Sequence, residues 1–168
     1  MTAITIRPEE PRDYKAIYTL TEAAFRDMPF SDGDEQDLID TLRADGDLAL
    51  SLVAETASGL AGHIAFSRVS ISDGTPNWYD LGPVSVTPEL QRQSIGAQLI
   101  ERGIADLRAA GACGIVLLGN PDYYGRFGFQ HDPALSYPGP PPQYFQRLVL
   151  EGGTPQGVVT YPPAFGSG

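Results

Sequence analysis

The sequence predicts an α/β fold of the α+β kind, with a central mixed, mostly antiparallel sheet flanked by helices and a strand pair at the C-terminal end. Three observations point there. Two β-patterned runs, "LALSLVAET" and "GLAGHIAFSRVSI", are joined by a turn at Ala57, Ser58 and Gly59, as in an antiparallel hairpin. From residue 78 to 119 a strand, a long amphipathic helix and a short apolar strand follow in close succession, which implies one parallel crossover. Gly82-Pro83 interrupts the first of those strands, "WYDLGPVSV", and a proline that cannot donate a ladder hydrogen bond predicts a bulge or splay.

In chain order, "ITIRP" alternates with β-branched residues and predicts the first strand, ended by Pro8. Pro11 suits a helix start, and Tyr14, Ile17, Tyr18, Thr21 and Phe25 follow at spacings of three and four, giving one apolar face. A second helix is predicted over 34–44, with Leu38, Ile39 and Leu42 inward and Gly46 closing it; "RDMPFSDGD" is the loop between the two. After the hairpin and the turn "SDGTPN" comes the interrupted strand. The next helix carries the stripe Ile95, Leu99, Ile100, Gly103, Ile104 and Leu107 and closes at Gly111. "GIVLLG" has the composition of a strand buried on both faces. In "LLGNPDYYGRFGF", Asn120-Pro121 breaks that strand, Tyr123 and Tyr124 fall in a short helical turn, and Gly128-Phe129 returns to a strand. "YPGPPP" is a turn-rich spacer, and "YFQRLVL" with "GVVTYPPAF" forms the last strand pair. The chain contains no internal repeat and reads as one domain over 1–168, its core about 2–135 and the spacer and strand pair about 136–168.

A chain of 168 residues can bury a core without staples, and 42% hydrophobic with 19% charged residues places it among folded globular proteins. "MTAITIRPEE" has no basic region and no long apolar run, so no secretory signal is expected, and nothing approaches the ~20 apolar residues of a membrane span. Cys113 is the only cysteine, which excludes an internal disulfide and a thiolate metal cluster. The default location is cytoplasmic. A net charge of −10 argues against nucleic acid, where Lys and Arg supply most of the affinity. The first 48 residues hold 12 of the 21 acids and 5 of the 11 bases. A solvated face is the ordinary reading of such a cluster, and attraction for a cation the alternative.

The loop in "VTPELQRQSIGAQLI" sets Ser94 and Gly96 where the long helix begins. A helix start offers unpaired N–H groups and a partial positive charge, which together suit a phosphate. The crossover puts this loop at the C-terminal end of the "VSV" strand, where open α/β sheets bind ligands. It lacks the Gly-Lys-Ser/Thr ending of a P-loop and the Gly-x-Gly-x-x-Gly of a dinucleotide fingerprint. A tight strand-to-helix turn with no ligand is the alternative.

Taken together and in this order, "VSVTPELQRQSIGAQLI" and "GNPDYYGRFGF" resemble the motifs of the GNAT superfamily of acetyl-CoA-dependent N-acetyltransferases, in its small stand-alone bacterial type. The likeness runs from "ITIRP" through "RFGF". The family loop usually reads Gln/Arg-x-x-Gly-x-Gly/Ala and the later motif ends in Tyr-x-x-x-Gly-Phe. Gln91, Gly96, Tyr124, Gly128 and Phe129 match; Ser94 replaces the first glycine, and the spacer from Asn120 to Tyr124 is shorter than in many members. The resemblance implies a splayed GNAT-like sheet, acetyl-CoA as co-substrate and no metal. The activity it implies is direct attack of a primary amine, on a small molecule or peptide, upon the thioester in a ternary complex. A non-catalytic acyl-CoA-binding sensor or regulatory module is the alternative, and a homodimer stays open. By resemblance the "VSV" strand holds the pantetheine arm through the backbone of Val84 and Val86, with Ser85 between them in the cofactor set. The loop from Arg92 through Gln93, Ser94, Ile95 and Gly96 to Ala97 wraps the pyrophosphate, and Gln91, Asn120 and Tyr124 complete the cofactor set. The splay would admit the thioester, and an N–H freed there would polarise the acetyl carbonyl as an oxyanion hole does. The Cβ of Ser94 crowds the phosphate, while its hydroxyl can donate to it.

An amine of pKa ~10.4 costs about 4.6 kcal/mol to neutralise at pH 7, so a base is useful. Asp80, four residues before Val84, matches the catalytic acid of some members; an edge Asp at a strand start is the alternative. Tyr124 matches the proton donor to the leaving thiolate. A phenol near ~10 against a thiol near ~8.5 is a mismatch of about 2 kcal/mol, which hydrogen bonding can offset. A core aromatic is the alternative for Tyr124, and Tyr123 is expected to pack. His63 is expected to be a buried, hydrogen-bonded structural histidine, with a base role secondary, and His131 a loop residue. Two histidines without paired spacing predict no catalytic metal, and Cys113 reads as a small core hydrophobe. In the family the first two helices border the acceptor side. Here residues 27–47 carry Asp27, Asp32, Asp34, Glu35, Asp37, Asp40, Asp45 and Asp47 against Arg43 alone, which predicts a cationic acceptor, polyamine-like or Lys-rich.

Overall fold

Strand pairing in the computed structural model, which describes residues 3–26, 28, 31 and 33–165, grows outward from the hairpin read in the sequence. β1 (Thr5–Pro8) borders β2 (Leu48–Thr56), which runs antiparallel to β3 (Gly59–Ile71) with Val53 opposite His63. β4 (Trp78–Val86) pairs antiparallel with β3, and β5 (Gly114–Leu118) lies parallel to β4, as the crossover requires. β6 (Leu135–Ser136), β7 (Phe145–Val149) and β8 (Gly157–Thr160) follow, and the main path is β1-β2-β3-β4-β5-β7.

Among the described residues four α-helices cover the faces: α1 (Tyr14–Phe25), α2 (Glu35–Ala44), α3 (Ile95–Ala109) and the single turn α4 (Pro121–Tyr124). Every residue of the predicted α3 stripe is buried, against Leu52, Ile64, Phe66, Leu81, Ile115 and Leu117 of the sheet. Gly46 and Gly111 end α2 and α3 in left-handed backbone, as their sequence positions predict. The face of α1 is rotated from the expected one: Ile17, Leu20, Thr21 and Ala24 are buried, while Tyr14 is exposed. The tyrosines keep their polar tips near water, and Tyr18 donates to Asp37 at 3.0 Å. In α2, Ile39 and Leu42 are buried, and the third inward place goes to Gln36 rather than Leu38. Asp27 and Asp32, and part of the loop between these helices, lie outside the described residues.

The expected C-terminal strand pair needs correction. Both strands form, but not with each other. β7 runs antiparallel to β5 and covers its open edge, while β8 pairs with Ser70 and Ile71 of β3 and, in parallel, with β6. The reason is length: β3 outruns β4, whose pairing ends at Val69 opposite Trp78, and the overhang offers unpaired backbone. Gly128-Phe129 does not return to a strand either. Phe129 anchors in the core, and only Gln130 makes a bridge, to Arg147.

The splay is where Gly82-Pro83 predicts it. Ile64 faces Val84 and Phe66 faces Leu81, so Ala65 alone stands opposite two residues. β4 leaves β5 at the same place, the last pair being Asp80 opposite Val116, and Leu117 and Leu118 of β5 pair only with β7. The second half of β4 therefore has an open edge.

Candidate active site

Thr87 N–H donates to the Ala61 carbonyl at 2.8 Å, and Ser85 stands opposite His63. In an antiparallel ladder this turns the polar backbone groups of Ser85 and Thr87 toward β3 and those of Val84 and Val86 toward the splay. The Val86 carbonyl accepts from Gln91 Nε2 at 3.1 Å, so Gln91 ties the following loop to the strand. The Ser85 side chain is buried on the face of His63, away from the opening.

Beyond Gln91 the chain bends through two left-handed residues, Arg92 and Ser94, both at φ +67°. That conformation costs a non-glycine residue about 1–2 kcal/mol. Ser94 is the residue before α3, yet its hydroxyl does not cap the helix. The first helical bond runs from Gln98 N–H to the Ser94 carbonyl at 3.0 Å, which leaves the N–H groups of Ile95, Gly96 and Ala97 at the helix end. Before them opens a cavity of about 560 Å³, lined by Val86, Gln91, Arg92 and Ser94–Ala97, with Tyr123 and Arg126. The Arg126 guanidinium sits 4.5 Å from the centre of the Tyr123 ring and donates to the Tyr123 carbonyl. No described residue lining this cavity is an acid. A Cβ on Gly96 would meet only Val86 Cγ2, at 3.7 Å, so the fold does not require glycine there; its absent side chain keeps the space before the N–H groups clear.

A second cavity, of about 590 Å³, lies at the splay between Asp80–Val84, Leu118 and Tyr124, and Met28 borders both spaces. Asp80 is 3% exposed. Burial raises its carboxyl well above the ordinary range, and Tyr161, facing it, pulls the other way. The Tyr161 hydroxyl is itself buried and completes no hydrogen bond among the described residues; burial first, and then Asp80, holds its proton on. Tyr124 is pushed up to about 12, by burial first and then by Tyr123 and Asp80. Asn120 positions it: its Oδ1 accepts from Asp122 N–H at 2.9 Å and its carbonyl from the N–H groups of Tyr123 and Tyr124. The Tyr124 ring lies against Gly119, where a Cβ would come within 2.5 Å of Cε2, and packs edge-on to Tyr123 and Phe129.

The structure thus gathers Asp80, Val84 and Tyr124 at one cavity, and Val86, Gln91, Arg92 and Ser94–Ala97 at its neighbour. Asn120 lines neither and acts as the cap of α4. Gln93 lies in the loop between the two left-handed residues and lines neither cavity. His63 is fully buried, with Nε2 2.7 Å from Ser51 Oγ, which donates to Glu9 at 2.5 Å; Glu9 in turn holds Arg43 at 2.8 and 2.9 Å. Burial lowers the His63 pKa to about 4, so the ring is a neutral structural element. His131 contacts the Phe145 carbonyl, away from both cavities, and half-buried Cys113 packs with the Trp78 cluster. Of the acids predicted to attract a cation, Asp34, Asp37, Asp40 and Asp45 are exposed, and among the described residues only Glu35 reaches the cavity. Sequence reasoning missed Arg126, Phe25, Met28 and the C-terminal trio Tyr137, Tyr161 and Phe165. For Tyr161 and Phe165 the aromatic content of "GVVTYPPAF" was the available signal. Among the described residues, no group of three or more His, Cys, Asp or Glu is placed to hold a metal, and no helix is long and apolar enough to cross a membrane.

Comparison with known proteins agrees with this geometry. Residues 5–131 match the model of an acetyltransferase (GNAT) domain. The uncharacterized N-acetyltransferase YhbS of Escherichia coli K12 is 35% identical over 139 residues, 80% of each chain. The crystal structure of a GNAT family acetyltransferase from Brucella melitensis in complex with acetyl-CoA superposes with a TM-score of 0.87 at 46% identity, over 98% of this chain and 99% of that one. The structure of E. coli YhbS in complex with CoA gives 0.88 at 31% identity, over 98% and 93%.

Proposed function

This chain belongs to the GNAT acetyltransferase family, and from that premise we propose that it moves an acetyl group from acetyl-CoA to a primary amine by direct attack in a ternary complex. One observation carries the reading: Asp80 and Tyr124 line a single cavity at the splay, beside a cavity whose donors suit a diphosphate. The donor set fits the cofactor. It offers three N–H groups at a helix end and two guanidinium groups, with no acid among the described lining residues, and the open edge of β4 can pair with the amides of a pantetheine arm.

When bound, the thioester supplies an activated acetyl carbonyl. The Val84 N–H, turned toward the splay, is placed to donate to the carbonyl oxygen as negative charge develops there. Asp80 accepts the proton that the ammonium must lose, directly or through one water, and its raised affinity for protons makes it a stronger base than an exposed carboxylate. As the nitrogen–carbon bond forms and the carbon–sulfur bond breaks, Tyr124 donates a hydrogen bond to the departing sulfur. Neutral across the physiological range, Tyr124 is always in its donor form. Both groups are superfluous to a sensor that only binds the cofactor, which favours catalysis over the non-catalytic alternative.

The test is free-thiol release from acetyl-CoA with a panel of primary amines. Tyr124→Phe and Asp80→Asn should each lower kcat by roughly 10²–10⁴-fold while CoA affinity holds. Tight CoA binding without amine-dependent thiol release from the wild-type protein would leave the sensor reading in its place.

A further inference from the structure

We infer that the cavity at the splay is built for a small primary amine that carries no carboxylate, its body apolar and of aromatic size. This deepens the acetyl-transfer reading and rests on it. The walls come from opposite ends of the chain. Phe25 and Met28 approach from the end of α1, and Tyr137, Tyr161 and Phe165 from the C-terminal segment. β8 docks on the overhang of β3, and the short turn Pro163–Phe165 packs against α2, so the tail reaches across to the helical side of the cavity. The Tyr137 and Tyr161 rings stack with centres 4.6 Å apart, and Phe165 meets Tyr161 edge-on at 5.0 Å. Such a wall favours flat, apolar bodies, and its ring faces attract an ammonium group.

Charge narrows the class further. Among the described residues lining the cavity the acids are Asp80 and Glu35, and none is Lys, Arg or His. Glu35 is half-buried and accepts from Ser31 Oγ at 2.6 Å, which holds it at the rim for an incoming ammonium. The carboxylate of an amino acid would enter with no cationic partner and two acids for company, an arrangement that burial penalises. An anionic group at the far end of the body would lie against the electron-rich ring faces, which repel it. A cavity of about 590 Å³ encloses a small ligand.

The decisive comparison is phenethylamine with phenylalanine, which differ only in the carboxylate, together with phenylalanine amide and 1,4-diaminobutane. Each is titrated calorimetrically into the protein–CoA complex and, separately, assayed for thiol release from acetyl-CoA. Phenethylamine should exceed phenylalanine by about tenfold or more in both affinity and kcat/KM, and the amide should recover most of the difference. Glu35→Gln should weaken phenethylamine and leave CoA affinity as it was. Equal or better use of phenylalanine, a preference for the diamine, or no binding of phenethylamine overturns the inference. Binding of phenethylamine with the stated preference, but no thiol release, keeps the subsite and removes the acetyl-transfer reading instead.

Discussion

Burial raises the affinity of Asp80 for a proton, and the consequences for rate and for stability have opposite signs. A folded-state carboxyl raised above its unfolded value binds more protons in the native state, so stability falls as pH rises from the unfolded value of 3.8 through the folded one. Asp80→Asn removes that dependence. The variant should melt above wild type at pH 8 and close to it at pH 4, even though its kcat is expected to fall; thermal melts at the two pH values check this. Ser94 presents a simpler case. Its left-handed backbone, φ +67°, is strained for any side chain, and Ser94→Gly should stabilise by about 1 kcal/mol, roughly 2–4 °C in Tm, with CoA affinity no weaker by calorimetry. At this scale the motif residues were legible in the sequence, because Gln91, Ser94, Gly96 and Tyr124 stand in one short stretch or at a fixed offset. Tyr161 was not. Its approach to Asp80 exists only once β8 has found the end of β3, and local sequence carries no trace of that meeting.

Elements whose partners are close in sequence were read correctly: the hairpin of β2 and β3, the α3 stripe, and the bulge at Gly82-Pro83. The errors fall where a choice between distant partners decides the outcome. Two successive β-patterned runs suggest a pair, but the unpaired edge of β5 and the overhang of β3 each claimed one of them. The docking of β8 has a measurable role. Val159 is 1% exposed in a cluster with Ile71, Trp78 and Val116, and Val159→Ala should cost about 2 kcal/mol. Because β8 leads directly into Tyr161 and Phe165, the same change should raise the KM for the amine several-fold and leave the CoA dissociation constant alone. Parallel loss of both affinities would show that β8 supports the whole sheet rather than one wall.

Across the whole molecule, the chain from Arg43 through Glu9 and Ser51 to His63 joins α2 and the segment after β1 to the middle of the sheet. His63 is held neutral, its pKa lowered to about 4 from 6.5. The unfolded chain therefore binds the proton more readily, and stability must fall as pH drops from about 6.5 to about 4, by roughly 3 kcal/mol over that window. Glu9, also shifted downward by Arg43 and Ser51, acts in the same direction at its acidic end. His63→Gln should flatten this part of the profile of unfolding free energy against pH, measured with urea. A slope equal to that of wild type would assign the acid sensitivity to other groups.

The β3 overhang divides authorship of the site. The groove that suits the cofactor is drawn from Met28 and residues 84–126, inside the span that the family model matches, whereas the last aromatic walls come from residues 157–165, beyond that span of 5–131. What enters on the amine side can thus be rewritten without disturbing what is held on the other. A lineage can recast the nine residues 157–165 to change that wall, and a protein engineer can graft in the same place. The overhang is, in effect, a socket.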